Sequence, residues 1–323
     1  MAGLVRPHEA TDPVAACRYA RSAGLDLALA TSATTGPARE VRRSTASWWD
    51  SFADYTALAR LEPGARLWVP GPARATMNLF ALVHAAETGV RVVGSPKEAS
   101  HACLTPAHLD RALSKLSRGT VVVVAGAALP TGLASRAAEA GLDVQHYYGA
   151  AELSFVAWVG ADGLHAFPGV EVEARPEEAG SVLWARSAYL CDGYVGEPGP
   201  LRRDGDGWAS VGDLGTVTDG RIEVLGRPDA IITAAATVLV ADVERALSGC
   251  ATRDFAVHAT AHATLGQVVT VTLTDRANRE PMERHARAHL PVSHRPRRWR
   301  VVDSLPLTAA GKLDRAALER ADL

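Results

Sequence analysis

From residue 25 to residue 148, short apolar runs alternate with longer stretches whose apolar positions recur at helical spacing. The strand-like runs are 27–30, 67–69, 90–93, 120–125 and 143–148, and the helix-like ones are 44–60, 76–87, 106–116 and 129–140. That rhythm predicts an α/β fold: a parallel sheet with helices on both faces, since parallel strands need crossover connections. From 153 to 225 the apolar runs shorten and glycine and proline become frequent, which predicts a β-rich subdomain. After Gly226-Arg227-Pro228-Asp229 the pattern changes again, with helix-like 240–247, strand-like 255–258 and 268–273, helix-like 282–290 and strand-like 300–302. These describe a small α+β unit, so the expected division is a core domain of residues 1–228 and a C-terminal domain of residues 229–323.

Composition narrows the function classes. The chain has 323 residues, 47% hydrophobic and 22% charged, enough for a large core and two unequal domains. A net charge of -2 gives no global electrostatic argument for binding nucleic acid or an anionic membrane, and no run approaches the roughly 18 apolar residues of a spanning helix. Residues 1–12 lack the apolar stretch of a signal peptide, and Cys17, Cys103, Cys191 and Cys250 show no CxxC spacing. A cytoplasmic protein without disulfide framework or zinc site is therefore expected.

Ligands of parallel sheets sit beyond the carboxyl ends of the strands, so polar turns after apolar runs are the places to inspect. Thr31-Ser32-Ala33-Thr34-Thr35-Gly36 follows the run 27–30 and offers hydroxyl and backbone donors to a triphosphate. Tyr148-Gly149-Ala150-Ala151-Glu152 reads as a second turn, with an aromatic face for a base and a carboxylate for a metal ion. Val211-Gly212-Asp213-Leu214 presents a carboxylate suited to vicinal ribose hydroxyls. Near the end, residues 305–315 read as an exposed, flexible stretch presenting one lysine, Lys312, before a final helix. Each of these is also the composition of an ordinary turn or surface segment.

Taken in order, TSATTG, YGAAE, VGDL, GRPD and LPLTAAGKLDR resemble the motif series of the adenylate-forming (AMP-binding, acyl-CoA synthetase) superfamily. The chain looks most similar to short o-succinylbenzoate-CoA-ligase-like members, over nearly its whole length from residue 27. The resemblance implies ATP and Mg2+, activation of a small carboxylic acid as its acyl-adenylate, and transfer to CoA or a phosphopantetheine carrier protein. It implies that Thr31, Ser32, Thr34, Thr35, Gly36 and Arg39 wrap the phosphates and that Gly126, Ala127 and Ala128 line the adenine pocket. It implies that Tyr148 stacks on the base within Tyr148, Gly149, Ala150 and Ala151, and that Glu152 attends magnesium. Asp213 and Arg227 match the ribose contacts, Asp229 the hinge of a mobile C-terminal lid, and Lys312 the catalytic lysine.

The departures are specific. Ala33 stands for glycine, Ala38 for proline, Arg39 for lysine, Ala151 for a frequent threonine, and Ala234-Ala235 for a glycine pair in the loop after the hinge. Residues 70–74 lack the histidine often found near the acyl pocket, and most of the N-terminal subdomain is absent, so a homodimer or protein partner is expected to cover the core there. Trp48 and Trp49 read as helix packing residues, and the histidine pairs 258/262 and 285/289 as core or surface rather than metal ligands. No carboxylate matches the group that holds an α-amino substituent, which favours a non-amino acid. The competing readings are a non-catalytic homologue that binds nucleotide or a partner, and an adenylating enzyme with an amine or hydroxyl acceptor.

Overall fold

The computed structural model describes residues 3–31, 39–177, 180–196, 198–226, 230–232, 237–262 and 266–320. The chain opens with β1 (Leu4–Val5), α1 (Pro13–Ser22), β2 (Asp26–Ala30) and β3 (Glu40–Arg43). Proline at the first turn of α1 and Asp12, whose carboxylate accepts from the Ala15 N–H, set that helix start. β1 runs parallel to β2, β3 pairs antiparallel with β2, and the strand Gly193–Val195 closes this four-stranded sheet on β3. The run 27–30 therefore lies outside the parallel sheet to which the alternating pattern assigned it.

The expected helix 44–60 is two short ones, α2 (Ala46–Trp49) and α3 (Phe52–Leu58). Between them the Ser51 hydroxyl donates to the Trp48 carbonyl at 2.7 Å, a side-chain bond that competes with helix continuation. Then come β4 (Arg66–Trp68), α4 (Thr76–Thr88), β5 (Arg91–Val93), β6 (His101–Leu104), α5 (Pro106–Ala112), β7 (Val121–Val124), α6 (Thr131–Glu139) and β8 (Asp143–Ala150). β4 to β8 form a parallel sheet in the order β8-β7-β6-β4-β5. Ala102, Leu104, Val122 and Val124 pack on α5 and α6, whereas Cys103 and Val123 face α4, so helices cover both sides. α4 is buried on several faces and stops at Gly89, whose φ of +76° is the left-handed conformation glycine adopts freely.

β8 changes partner midway: Asp143 to His146 pair parallel with β7, and Tyr147 to Ala150 pair antiparallel with β9 (Ser154–Val159). Through it the parallel sheet continues into the β-rich part: β10 (Leu164–Ala166), β11 (Glu171–Glu177), β12 (Gly180–Arg186), β13 (the Gly193–Val195 strand), β14 (Arg202–Arg203), β15 (Ala209–Ser210), β16 (Leu214–Thr218) and β17 (Arg221–Gly226). Tyr148, Gly149 and Ala150, read above as part of a turn, thus lie in a strand. The turn itself is Ala151 to Leu153, and Gly149 has no room for a side chain because a Cβ there would stand 2.2 Å from the Ser154 carbonyl oxygen.

The C-terminal part contains β18 (Ala230–Ile232), β19 (Thr237–Leu239), α7 (Val240–Ser248), β20 (Phe255–His262), β21 (Gly266–Leu273), α8 (Arg279–His289), β22 (Arg298–Val301) and α9 (Arg315–Arg320). It has its own core of Ile231, Val243, Leu247, Val257, Val271 and Met282. α1 packs on α4, and Cys17 and Ala20 join the core of Trp48, Phe52 and Phe80. Large apolar side chains are exposed only singly among the described residues, at Tyr19, Val92, Val292 and Val301. The described residues contain no helix long and apolar enough to cross a membrane, and all four cysteines are free.

Candidate functional site

The four segments singled out in the sequence make the following contacts. At the first, the Thr31 N–H donates to the Arg39 carbonyl at 2.7 Å and the Arg39 N–H to Thr31 Oγ1 at 3.1 Å, closing the neck of the hydroxyl-rich loop. Ser32, Thr34, Thr35 and Gly36 lie outside the described residues. Arg39 Nε donates to the Pro198 carbonyl at 3.0 Å, and Thr76, opening α4, donates its hydroxyl to the Ala30 carbonyl at 2.7 Å. The N-terminus of α4 is thereby fixed at the base of the loop.

The second turn leaves β7 through Ala125 to Gly126, whose φ is +89°. A Cβ on Gly126 would lie 3.3 Å from Lys312 Cε, 3.5 Å from Thr105 Cγ2 and 3.8 Å from Met77 Sδ, so the lysine side chain rests on this glycine. Ala127 and Ala128 follow at the exposed rim. The loop that delivers Lys312 is not the flexible stretch expected. Leu307 and Leu313 form an antiparallel bridge, Thr308 N–H donates to the Lys312 carbonyl at 2.7 Å, and Lys312 N–H donates to Thr308 Oγ1 at 3.2 Å. Gly311, buried with φ +77°, leaves no space for a Cβ, which would meet the His108 ring at 2.6 Å. Arg315 secures the far side, donating to the Val257 carbonyl at 2.6 Å and to Glu244 at 3.0 Å.

The strand β8 and the fourth turn meet directly: the Tyr148 hydroxyl donates to Asp213 Oδ2 at 2.7 Å. Gly212, with φ +82°, makes the bend before Asp213, and Ser210 Oγ accepts its N–H at 3.0 Å. Ala150 and Ala151 are half-buried, and Arg227 and Asp229 lie outside the described residues, as does the alanine loop 234–236.

Glu152 is buried, and its Oε1 accepts from the Tyr194 hydroxyl at 2.8 Å. Tyr194 sits on β13, paired to β3, the strand that begins just after Arg39. Arg43, wholly buried on that same strand, donates Nη2 to the carbonyls of Ala151 at 2.9 Å and Tyr189 at 3.3 Å. Burial pulls the Arg43 guanidinium down to about 10, while the charges of Cys191, Glu152 and Asp192 oppose that fall. Burial, then the Glu152 charge, pushes the Tyr194 phenol well up. Only one Glu152 carboxylate oxygen accepts a hydrogen bond among the described residues. That fits a magnesium ion, which takes one or two protein carboxylates and draws its remaining ligands from phosphates and water.

The C-terminal part is seated on the core by a second set of contacts that sequence reasoning missed. Arg136 on α6 donates to Asp110 at 2.6 Å and to the Thr252 carbonyl at 2.7 Å. Gly132, also on α6, lies so close to Ala251 that a Cβ would be 1.8 Å from its carbonyl oxygen. Asp254 beside them is pushed up to about 6 by burial and by Asp110, against the pull of Arg111 and Arg136. A glycine in a helix was the signal available for this contact.

No protein-family profile matches the chain. It is 30% identical over 331 residues to a protein of Mycobacterium tuberculosis named "Probable 2-succinylbenzoate--CoA ligase", covering 91% of this chain and 84% of that one. It is 24% identical to an "Uncharacterized acyl--CoA ligase YhfT" of Bacillus subtilis, covering 90% of this chain and 67% of that one. Among solved structures it superposes on ATP-bound MatB of Rhodopseudomonas palustris with a TM-score of 0.76, at 21% identity over 91% of this chain and 67% of that one. On the amide bond synthetase McbA of Marinactinospora thermotolerans the TM-score is 0.72, at 24% identity over 93% of this chain and 69% of that one.

Proposed function

The chain belongs to the adenylate-forming family of AMP-binding acyl-CoA ligases, and we propose that it activates a small carboxylic acid with ATP and passes the acyl group to the thiol of CoA. In the first step a carboxylate oxygen attacks the α-phosphorus of ATP, the bond to pyrophosphate breaks, and an acyl-adenylate forms. In the second, the CoA thiolate attacks the acyl carbon and AMP leaves. Both reactants of the first step are anions, so the step needs a cation that spans them. Lys312 takes that role.

The observation that carries the reading is the seat of Lys312 on Gly126, at the same strand ends as the Tyr148–Asp213 pair. In the proposed complex the adenine packs at the Gly126 to Ala128 turn and on the Tyr148 ring, while Asp213, oriented by the Tyr148 hydroxyl, accepts from the ribose hydroxyls. The loop from Thr31 to Gly36, with Arg39, encloses the phosphates, and Arg227 joins the ribose side. Glu152 would hold a magnesium ion, which would supply charge neutralisation to the phosphates. The small domain, residues 229–323, is the lid, and its docking through Gly132 and Arg136 belongs to the adenylating arrangement.

The test is acid-dependent pyrophosphate release across aryl, fatty and short branched acids, with CoA present and absent. Release with formation of a CoA ester is the expected outcome. Release without an ester assigns a different acceptor, an acyl carrier protein or an amine. A folded protein that binds ATP and turns over no acid refutes the ligase reading in favour of a binding homologue.

A further inference from the structure

Two neighbours of Lys312 rest on one side chain that the proposed reaction does not use, His108 in the first turn of α5. The first is Gly311, the residue before the lysine. It is buried with φ +77°, and a Cβ there would stand 2.6 Å from His108 Cε1, 3.1 Å from Nδ1 and 3.5 Å from Nε2. The loop backbone thus lies directly on the imidazole, and only a residue without a Cβ fits between them. The second is Thr105, whose Oγ1 stands 3.1 Å from His108 Nδ1 and accepts the His108 N–H at 3.3 Å. Thr105 Cγ2 and Lys312 Cε approach the same glycine, at 3.5 and 3.3 Å from the place a Cβ on Gly126 would take. The lysine stem and the threonine therefore share one turn, and the imidazole ties that threonine to the lysine's own backbone.

The surroundings of the ring favour its neutral form. His108 lines a recess of about 200 Å³ whose other walls are Trp68, Pro70, Pro96, Arg111 and Lys115. The charged groups of that recess are cations from its own helix, and the loop packed on the ring brings a third, Lys312. Burial, then Arg111, holds the imidazole below its ordinary value, so it is neutral at pH 7. With its proton on Nε2, the ring accepts from the Thr105 hydroxyl, while Thr105 Oγ1 accepts the backbone N–H. Protonation reverses the first of these bonds and sets a new positive charge beside Arg111, Lys115 and the lysine loop.

We infer that His108 is a positioning residue for Lys312: the neutral imidazole sets the seat of the lysine loop on the Gly126 turn, and protonating it disturbs that seat. The inference rests on the ligase reading and adds to it a residue that acts through Lys312 and an acid limit on adenylation. Its test is a double-mutant cycle in acid-dependent pyrophosphate release with H108A, K312A and the pair. H108A should lower kcat about 10–100-fold, the cost of a misplaced catalytic group, with KM for ATP within about 2-fold of wild type. In the K312A background the same change should cost less than about 3-fold, because no lysine is left to position. H108N keeps an acceptor for the Thr105 hydroxyl but cannot titrate. It should recover most of the H108A loss, and its kcat should fall less than that of wild type between pH 7 and 5. Should H108A not fold, the H108N pH comparison decides alone. Losses that multiply in the pair, or parallel pH profiles in H108N and wild type, overturn the inference while the ligase reading stands. A folded wild type that releases no pyrophosphate with any acid removes the ligase reading, and this role of His108 with it.

Discussion

Replacing Gly132 by alanine sets two effects of different size against each other. Gly132 is the second residue of the helix Thr131–Glu139, where alanine is intrinsically favoured over glycine by about 0.5–1 kcal/mol. From the core alone, G132A should therefore be neutral or slightly stabilising. The new Cβ, however, would lie 1.8 Å from the Ala251 carbonyl oxygen, and that atom is backbone with no rotamer to escape into. To restore even a tight contact of about 3 Å, the Ala251 turn must retreat by more than 1 Å, taking with it the Thr252 carbonyl that Arg136 holds at 2.7 Å. Lys312 belongs to the same C-terminal part, and a 1 Å misplacement of a catalytic group costs on the order of 10²-fold. G132A should thus keep or raise the melting temperature while acid-dependent pyrophosphate release falls about 100-fold. G132S, with the same Cβ, should fall alike. Undiminished turnover in G132A would show that the observed docking is not the arrangement in which the acid is activated.

Two further perturbations address the buried polar groups. R43M leaves Glu152 buried without its neighbouring cation and frees the Ala151 carbonyl, and should cost about 3–5 kcal/mol in chemical denaturation; a loss below about 1 kcal/mol would mean that Arg43 does not compensate that carboxylate. His84, wholly buried with Nε2 against Thr56 Oγ1 at 2.8 Å, has a folded value of about 4 against 6.5 for the free side chain. The unfolded chain then takes up a proton between pH 6.5 and 4 that the folded one refuses, so stability falls with decreasing pH in that window, by about 3 kcal/mol when complete. Asp254, raised to about 6, works in the opposite sense, its contribution being present at low pH and lost as pH rises through 6. The His84 part is isolated by comparing wild type with H84L, whose stability difference should shift by that amount between pH 7 and 4; a pH-independent difference would refute a buried neutral imidazole.

The elements legible in the sequence were those with a continuous apolar run, such as the helix Thr76–Thr88, buried on several faces, and the strand Val121–Val124. The strand Glu40–Arg43 was not, because its residues EVRR read as solvated, yet Arg43 is the largest fully buried side chain. His101–Leu104 escaped notice because four residues beginning with histidine carry little periodic signal. Motif order singled out Tyr148, Asp213 and Lys312, of which the fold joins Tyr148 to Asp213 and sets Lys312 on Gly126. It could not reveal that Tyr148 bonds Asp213, that Tyr194 holds Glu152, or that Gly132 admits the Ala251 turn, because those pairings join segments far apart in the chain. Nor could it show that residues 13–22 pack on the core, since helix α1 has a modest apolar side built of Cys17 and Ala20.

The central claim is that a single lysine bridges two anionic reactants. K312A should reduce acid-dependent pyrophosphate release by about 10²–10³-fold. Lys312 packs on the Gly126 turn, the rim of the proposed nucleotide site, so ATP binding by calorimetry and the melting temperature should remain close to wild type. Full activity in K312A would contradict the account.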